Sequence, residues 1–222
     1  MTVCAGRDGL LMNNRRSDRA LHLVLLAGLA SFFVWSVIRP HDLFTWFLEA
    51  LPVIAGVLIL LLSYKRFRLT NLAYVLICIH AIILLVGAHH TYARMPVFDW
   101  LRDTFDLGRN HYDRIGHIAQ GFVPAILARE VLLRTSPLKK GKWLFFIVVC
   151  ICLAISASYE LFEWLVAVVT GTAADMFLGT QGDVWDTQKD MALCFFGAVV
   201  ALLVLGRAHD RSLGKIGVET AI

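Results

Sequence analysis

Six long apolar stretches set the terms for this chain. They run from Ala20 to Ile38, Leu43 to Ser63, Leu69 to Ala88, Tyr112 to Leu133, Trp143 to Thr170 and Val184 to Leu205. At about 1.5 Å of helical rise per residue, each is long enough to cross a hydrocarbon core of about 30 Å. Inside lipid every backbone N–H and C=O needs an internal partner, which helices supply. Six such spans take up most of 222 residues. The expectation is therefore an all-α, polytopic membrane bundle of about six transmembrane helices with short loops. A hydrophobic content of 58% against 17% charged residues excludes an ordinary soluble domain. Residues 1–18 read as a disordered cytoplasmic tail, 19–208 as the six-helix transmembrane domain and 209–222 as a cytoplasmic C-terminal tail.

The basic residues supply the orientation. Arg15, Arg16 and Arg19 precede span one; Lys65, Arg66 and Arg68 separate spans two and three. Arg134, Lys139, Lys140 and Lys142 separate four and five, and Arg207, Arg211 and Lys215 follow six. Alternate loops thus carry the positive charge, and the positive-inside rule puts both termini in the cytoplasm, with the chain crossing the cell inner membrane several times. The net charge of +4 is an orientation signal rather than a phosphate-binding stripe. The expected partner is the lipid bilayer, not nucleic acid.

The acids sort the other way. Asp113, Glu160, Glu163, Asp183, Asp186 and Asp190 fall in the opposite loops or the helix turns beside them. Acids contribute little to topology, so their placement calls for a chemical or ion-binding cause. The cysteines give no pairing framework: Cys4 precedes span one, and Cys78, Cys150, Cys152 and Cys194 sit inside apolar spans, where thiols act as small hydrophobes.

On a helix, Asp113, His117, Gln120 and Pro124 share one face. Span four descends from the outer surface, span five ascends to place Tyr159, Glu160 and Glu163 near its outer end, and span six descends with Asp186 and Asp190 in its first turns. The three groups reach one layer, and His89, His90 and Glu49 are in range of it. Acids gathered at one depth repel each other unless a divalent metal, an Arg114 ion-pair network or retained protons offset the charge. A histidine with carboxylates suits zinc, manganese or iron better than calcium, and His117, Glu163 and Asp186 are the candidate ligands.

Elsewhere the bland reading prevails. His80, alone in mid-span, is expected to hydrogen-bond a neighbouring helix. His22 and His209 read as interfacial, and the Arg129-Glu130 pair as snorkelling. In the outer loop, Asp99, Asp103 and Asp106 alternate with Arg94, Arg102 and Arg109, which reads as a solvated, self-compensating face. The same stretch, Asp99 to Leu107, has apolar residues at near-helical spacing and is expected to lie on the membrane surface.

Three strings, Tyr112 to Pro124 (YDRIGHIAQGFVP), Ser158 to Trp164 (SYELFEW) and Gly179 to Gln188 (GTQGDVWDTQ), resemble the bacterial YjdF-like inner-membrane proteins. The resemblance spans roughly residues 20 to 208 and implies the fold more than an activity. A looser pattern over residues 113 to 197 is similar to the VanZ-like family, associated with the cell envelope. That pattern has Asp-Lys-x-x-His on one helix, Glu on a later one and Asp-x-x-x-Asn on another. Asp113, His117, Glu160 or Glu163, and Asp186 take the corresponding places, with Arg114 where Lys is usual and Asp190 where Asn is usual.

These readings lead to an outer-facing Asp/His/Glu pocket that binds or processes a lipid-linked envelope substrate, with a divalent metal as its candidate cofactor. Asp113, His117, Glu160, Glu163, Asp186 and Asp190 are the candidate catalytic residues; Arg114, Gln120, Tyr159, Gln181 and Asp183 the candidate substrate contacts. An ion-coupled transporter is the alternative, disfavoured because the acids stop in the outer half and no inverted repeat is evident. A non-catalytic scaffold, in which polar groups only fix helix register, is the third.

Overall fold

The computed structural model describes residues 3–171 and 175–216, with side chains over 17–171 and 177–216. Of the two expected tails, residues 1–2 and 217–222 lie outside the described residues, as do the side chains of Cys4 and Asp175. The described residues form helices and turns: α1 (Val3–Val37), α2 (Leu43–Ser63), α3 (Asn71–His90), a 3-10 turn (Tyr92–Arg94), α4 (Pro96–Phe105), α5 (Tyr112–Thr135), α6 (Lys142–Thr170), α7 (Asp175–Leu178) and α8 (Asp186–Lys215). The last helix runs past residue 208, and its His209 and Leu213 are fully buried.

Five helices are long and apolar enough to cross a membrane: Ser17–Val37 within α1, then α2, α3, α6 and α8. The sixth expected span, α5, has the length but carries Asp113, Arg114, Arg129, Glu130 and Arg134. It tolerates them because it is the central element, packed against α3, α6 and, most extensively, α8. Those charged positions are buried or half-buried against neighbouring helices, while Ile115 and Val131 of the same helix face outward.

Local signals set the helix starts. The Asp42 carboxylate accepts from the Thr45 amide at 2.7 Å and caps α2; the Thr70 hydroxyl accepts from the Ala73 amide and caps α3. Before α5, the Asn110 side-chain oxygen takes the Tyr112 amide at 3.1 Å.

Two apolar cores result. Ala125 and Ile126 of α5, Leu144, Val148, Val149 and Cys152 of α6, and Cys194, Ala198 and Ala201 of α8 form one. Leu29, Trp46, Ala50, Val53, Cys78, Ala81, Leu85 and Ala88 join α1, α2 and α3 in the other. Helices α5 and α8 run side by side in the same direction. Their backbones nearly touch: a methyl group on Gly121 would overlap the Cys194 carbonyl, and one on Gly197 the Ile118 carbonyl. Small residues at Cys194, Gly197, Ala198 and Ala201 allow this approach, as is usual where helices associate in lipid. Large apolar side chains point outward instead, Leu62, Val169 and Leu203 each more than 70% exposed, as a lipid-facing surface requires.

Candidate functional site

His117 is the hub. It lies one turn below Asp113 on α5, and the parallel run of α8 brings Asp190 beside it. Nε2 is 3.5 Å from Asp113 Oδ1 and 3.9 Å from Asp190 Oδ2. On the other side of the ring, Nδ1 is 3.1 Å from Gln120 Oε1 and 3.9 Å from Glu160 Oε1 of α6. Nδ1 thus pairs with Gln120, which leaves Nε2 facing two carboxylates. All four ionisable residues are buried, Asp190 at 2% exposure, and Asp190 Oδ1 and Glu160 Oε1 have no hydrogen-bond partner among the described residues.

Next to this cluster is a cavity of about 610 Å³ between α2, α3, α5 and α6. Asp113, His117, Gln120, Tyr92, Ser158 and Tyr159 supply its polar lining, and Pro52, Leu84, Pro124, Ile151, Ala154, Ile155 and Phe162 its apolar walls. The size and mixed character are those of a small-molecule site. Tyr92 enters from the 3-10 turn and packs against Gly87, where a methyl group would overlap its ring. Full burial holds the Tyr92 hydroxyl well above the usual phenol range, with the Glu49 charge adding to the effect.

Four expected members go elsewhere. Asp186 forms a buried ion pair with Arg109, which also donates to the carbonyls of Gly179 and Thr180. Arg114 pairs with Asp183 at 3.3 Å, and Asp183 also takes Lys189 at 2.6 Å. The Lys189 hydrogen bond and the Trp185 amide hold the Asp183 carboxyl below its ordinary range. Gln181 closes the loop, its oxygen accepting from the Asn110 amide at 2.9 Å and its nitrogen donating to the Asn110 carbonyl at 3.0 Å. The donor atoms that converge within 4.8 Å belong to Asp113, His117 and Asp190, rather than to His117, Glu163 and Asp186. Glu163 stays close enough to Asp113, Glu160, His117 and Asp190 to feel their charges.

Several sequence readings need correcting. Arg109, expected on a solvated face, is only 6% exposed because the loop before α5 folds it under the turn that starts α8; Arg102, by contrast, does pair with Asp99 and Asp103 at the surface. His80 makes no hydrogen bond through Nε2 among the described residues and lines the cavity instead. His89 lies over the Trp35 ring and His90 meets that ring edge-on. Glu49 does come near, accepting from the Tyr92 amide at 3.4 Å.

Nor do the buried acids stop in one half of the bundle. Glu130, expected to snorkel, is fully buried at the opposite end of α5. It accepts from the Thr70 amide and hydroxyl at 2.9 and 2.7 Å, from Arg134 at 2.8 Å and from His209 Nε2 at 3.1 Å. Arg129 donates to His209 Nδ1 and to Asp210. Thr70 and Arg68 of the α2–α3 turn bond Glu130 and Arg134, and Phe67 lies against the Arg134 guanidinium, so Glu130 is satisfied by protein instead of water.

Comparison with known proteins places the motifs in context. The family described as "Predicted membrane protein (DUF2238)" matches residues 21–211. The Inner membrane protein YjdF of Escherichia coli (strain K12) is 46% identical over 192 residues, covering 86% of this chain and 92% of that protein. No solved structure matches. With the family match spanning all but the two ends, this chain belongs to the DUF2238 family of predicted membrane proteins.

Proposed function

We propose that this multi-pass inner-membrane protein binds or processes a lipid-linked, amphiphilic envelope substrate in the cavity between α2, α3, α5 and α6. The observation that carries the reading is the cavity itself: apolar walls for a chain, ending on Asp113, His117, Gln120 and Tyr159, where a polar headgroup would sit. His117, oriented by Gln120, is placed to act as general base or cation ligand, with Asp113 and Asp190 beside it. Glu160 is the nearest acid partner. Arg109 and Arg114 are engaged with Asp186 and Asp183, so headgroup recognition falls to the acid-histidine centre rather than to a bare arginine.

A through-path for an ion is less well supported. The two buried polar groups on α5 are separated by the closely packed Gly121–Cys194 contact and by Ala125, Ile126, Cys152 and Ala198.

Native mass spectrometry of protein purified in mild detergent tests the proposal. A lipid-linked species should co-purify with the wild type and be lost in Ala154→Trp, which fills the cavity, but not in Leu203→Trp on the lipid-facing surface. Equal retention by both variants, or wild-type phenotypes for correctly inserted Asp113→Asn and His117→Ala, would rule it out.

A further inference from the structure

We infer that Asp113, His117 and Asp190 form a binding site for one first-row divalent cation, in the range from manganese to zinc, at the polar end of the cavity. The inference deepens the reading above and rests on its cavity.

Three observations support it. The first is the placement of the ring: Gln120 Oε1 lies 3.1 Å from Nδ1, where a carbonyl or carboxylate stands behind most metal-bound histidines, and Nε2 faces two carboxylate oxygens at 3.5 and 3.9 Å. A single proton on Nε2 can be shared fully with only one of them. The second is Asp190, only 2% exposed, whose Oδ1 has no partner among the described residues. A buried carboxylate oxygen without a donor is costly unless a cation offsets it. The third is the charge balance. Around His117 stand Asp113, Asp190 and Glu160, while the nearest guanidinium groups, of Arg109 and Arg114, are engaged with Asp186 and Asp183.

The donor set chooses the class of cation. One imidazole and two carboxylates are too few oxygens for calcium, which takes six to eight, and too nitrogen-bearing for magnesium. Donors held at about 2.1 Å from one ion lie at most about 4.2 Å apart, so the 4.8 Å envelope of these atoms closes by a modest side-chain rotation. Three protein ligands leave coordination positions open toward the cavity, where a substrate oxygen could enter.

The test uses untagged, full-length protein in nanodiscs titrated with Mn²⁺, followed by electron paramagnetic resonance. One saturable Mn²⁺ per chain is expected, with pulsed measurements showing nitrogen coupling from a single imidazole. Asp190→Asn and His117→Asn should each weaken binding tenfold or more, and the nitrogen coupling should vanish in His117→Asn. Leu203→Ala, on the lipid-facing surface, should change affinity less than threefold. Ala154→Trp should keep Mn²⁺ while losing the amphiphile, which separates failure of this site from failure of the cavity reading. Folded wild-type protein that takes up neither Mn²⁺ nor Zn²⁺ saturably, or Mn²⁺ bound without nitrogen coupling, would overturn the inference; the wild-type spectra decide it even if a variant fails to fold.

Discussion

Arg109 and Asp186, 77 residues apart in sequence, are joined in a buried ion pair, their side chains 6% and 7% exposed. It ties the loop before α5 to the first turn of α8 and so aligns the two helices whose first turns carry Asp113, His117 and Asp190.

Breaking that pair from one side strands a charge. Asp186→Ala should destabilise the protein by about 3 kcal/mol, because the buried guanidinium loses its nearer carboxylate and keeps only Asp183, 3.6 Å away and shared with Arg114 and Lys189. The double variant Arg109→Met with Asp186→Leu should recover most of the loss. Denaturant unfolding in micelles, followed by far-UV circular dichroism, measures both.

The α5–α8 crossing predicts an asymmetry among glycines. Gly121→Ala and Gly197→Ala would drive a methyl group into the facing backbone and should each cost about 1–3 kcal/mol. Gly206→Ala meets nothing within 4 Å and should be neutral or stabilising by up to about 1 kcal/mol, the ordinary helix preference for alanine. Melting temperatures of the three variants in one detergent make the comparison.

Glu130 anchors the other end. Glu130→Ala should leave His209, Arg134 and Thr70 without their shared acceptor and cost about 3–5 kcal/mol, the range for removing one partner from a buried ionic network. Glu130→Gln, which keeps an acceptor oxygen, should cost less. Proteolysis of the α2–α3 turn should speed up in the alanine variant first.

Acid should weaken the start of α2. The Thr45 hydrogen bonds hold the Asp42 carboxyl below its ordinary value of 3.8. A lowered folded-state value means that this contribution is fully present above about pH 4 and is lost as pH falls through the folded value. Asp42→Ala should cost about 1 kcal/mol at neutral pH and should flatten the acid limb of the stability curve. If the variant and the wild type keep the same difference at pH 2.5, the cap does not act as a carboxylate.

Hydropathy made the spans legible, since an apolar run of that length has few other uses. Helical spacing likewise put Asp113 with His117 and Asp186 with Asp190 on common faces. What the sequence could not convey was pairing. Arg109 has Asp106 three residues away, and only the fold of two loops carries it to Asp186 instead. Glu130 looked close enough to a helix end to reach water, but whether a neighbouring turn covers that end is a property of the bundle. Spacing puts Gln120 on the His117 face as a substrate contact; its second role, as the 3.1 Å partner of His117 Nδ1, comes from a side-chain distance that spacing does not encode. Tyr92 was missed as a cavity residue because nothing local distinguishes it from the other aromatics of its loop; the sole hint is Gly87, five residues earlier, leaving room for a ring.

The central position of α5 has a consequence for how the protein is made. With ionisable groups near both ends, this helix is a poor candidate to partition into lipid alone, and α8, the neighbour that meets His117, Arg129 and Glu130, is synthesised only after α6 and α7. A nascent chain must therefore shelter α5 against α3 and α6, or within the insertion machinery, until α8 emerges. Chains truncated before Asp186 should accordingly be rapid substrates for membrane quality-control proteases.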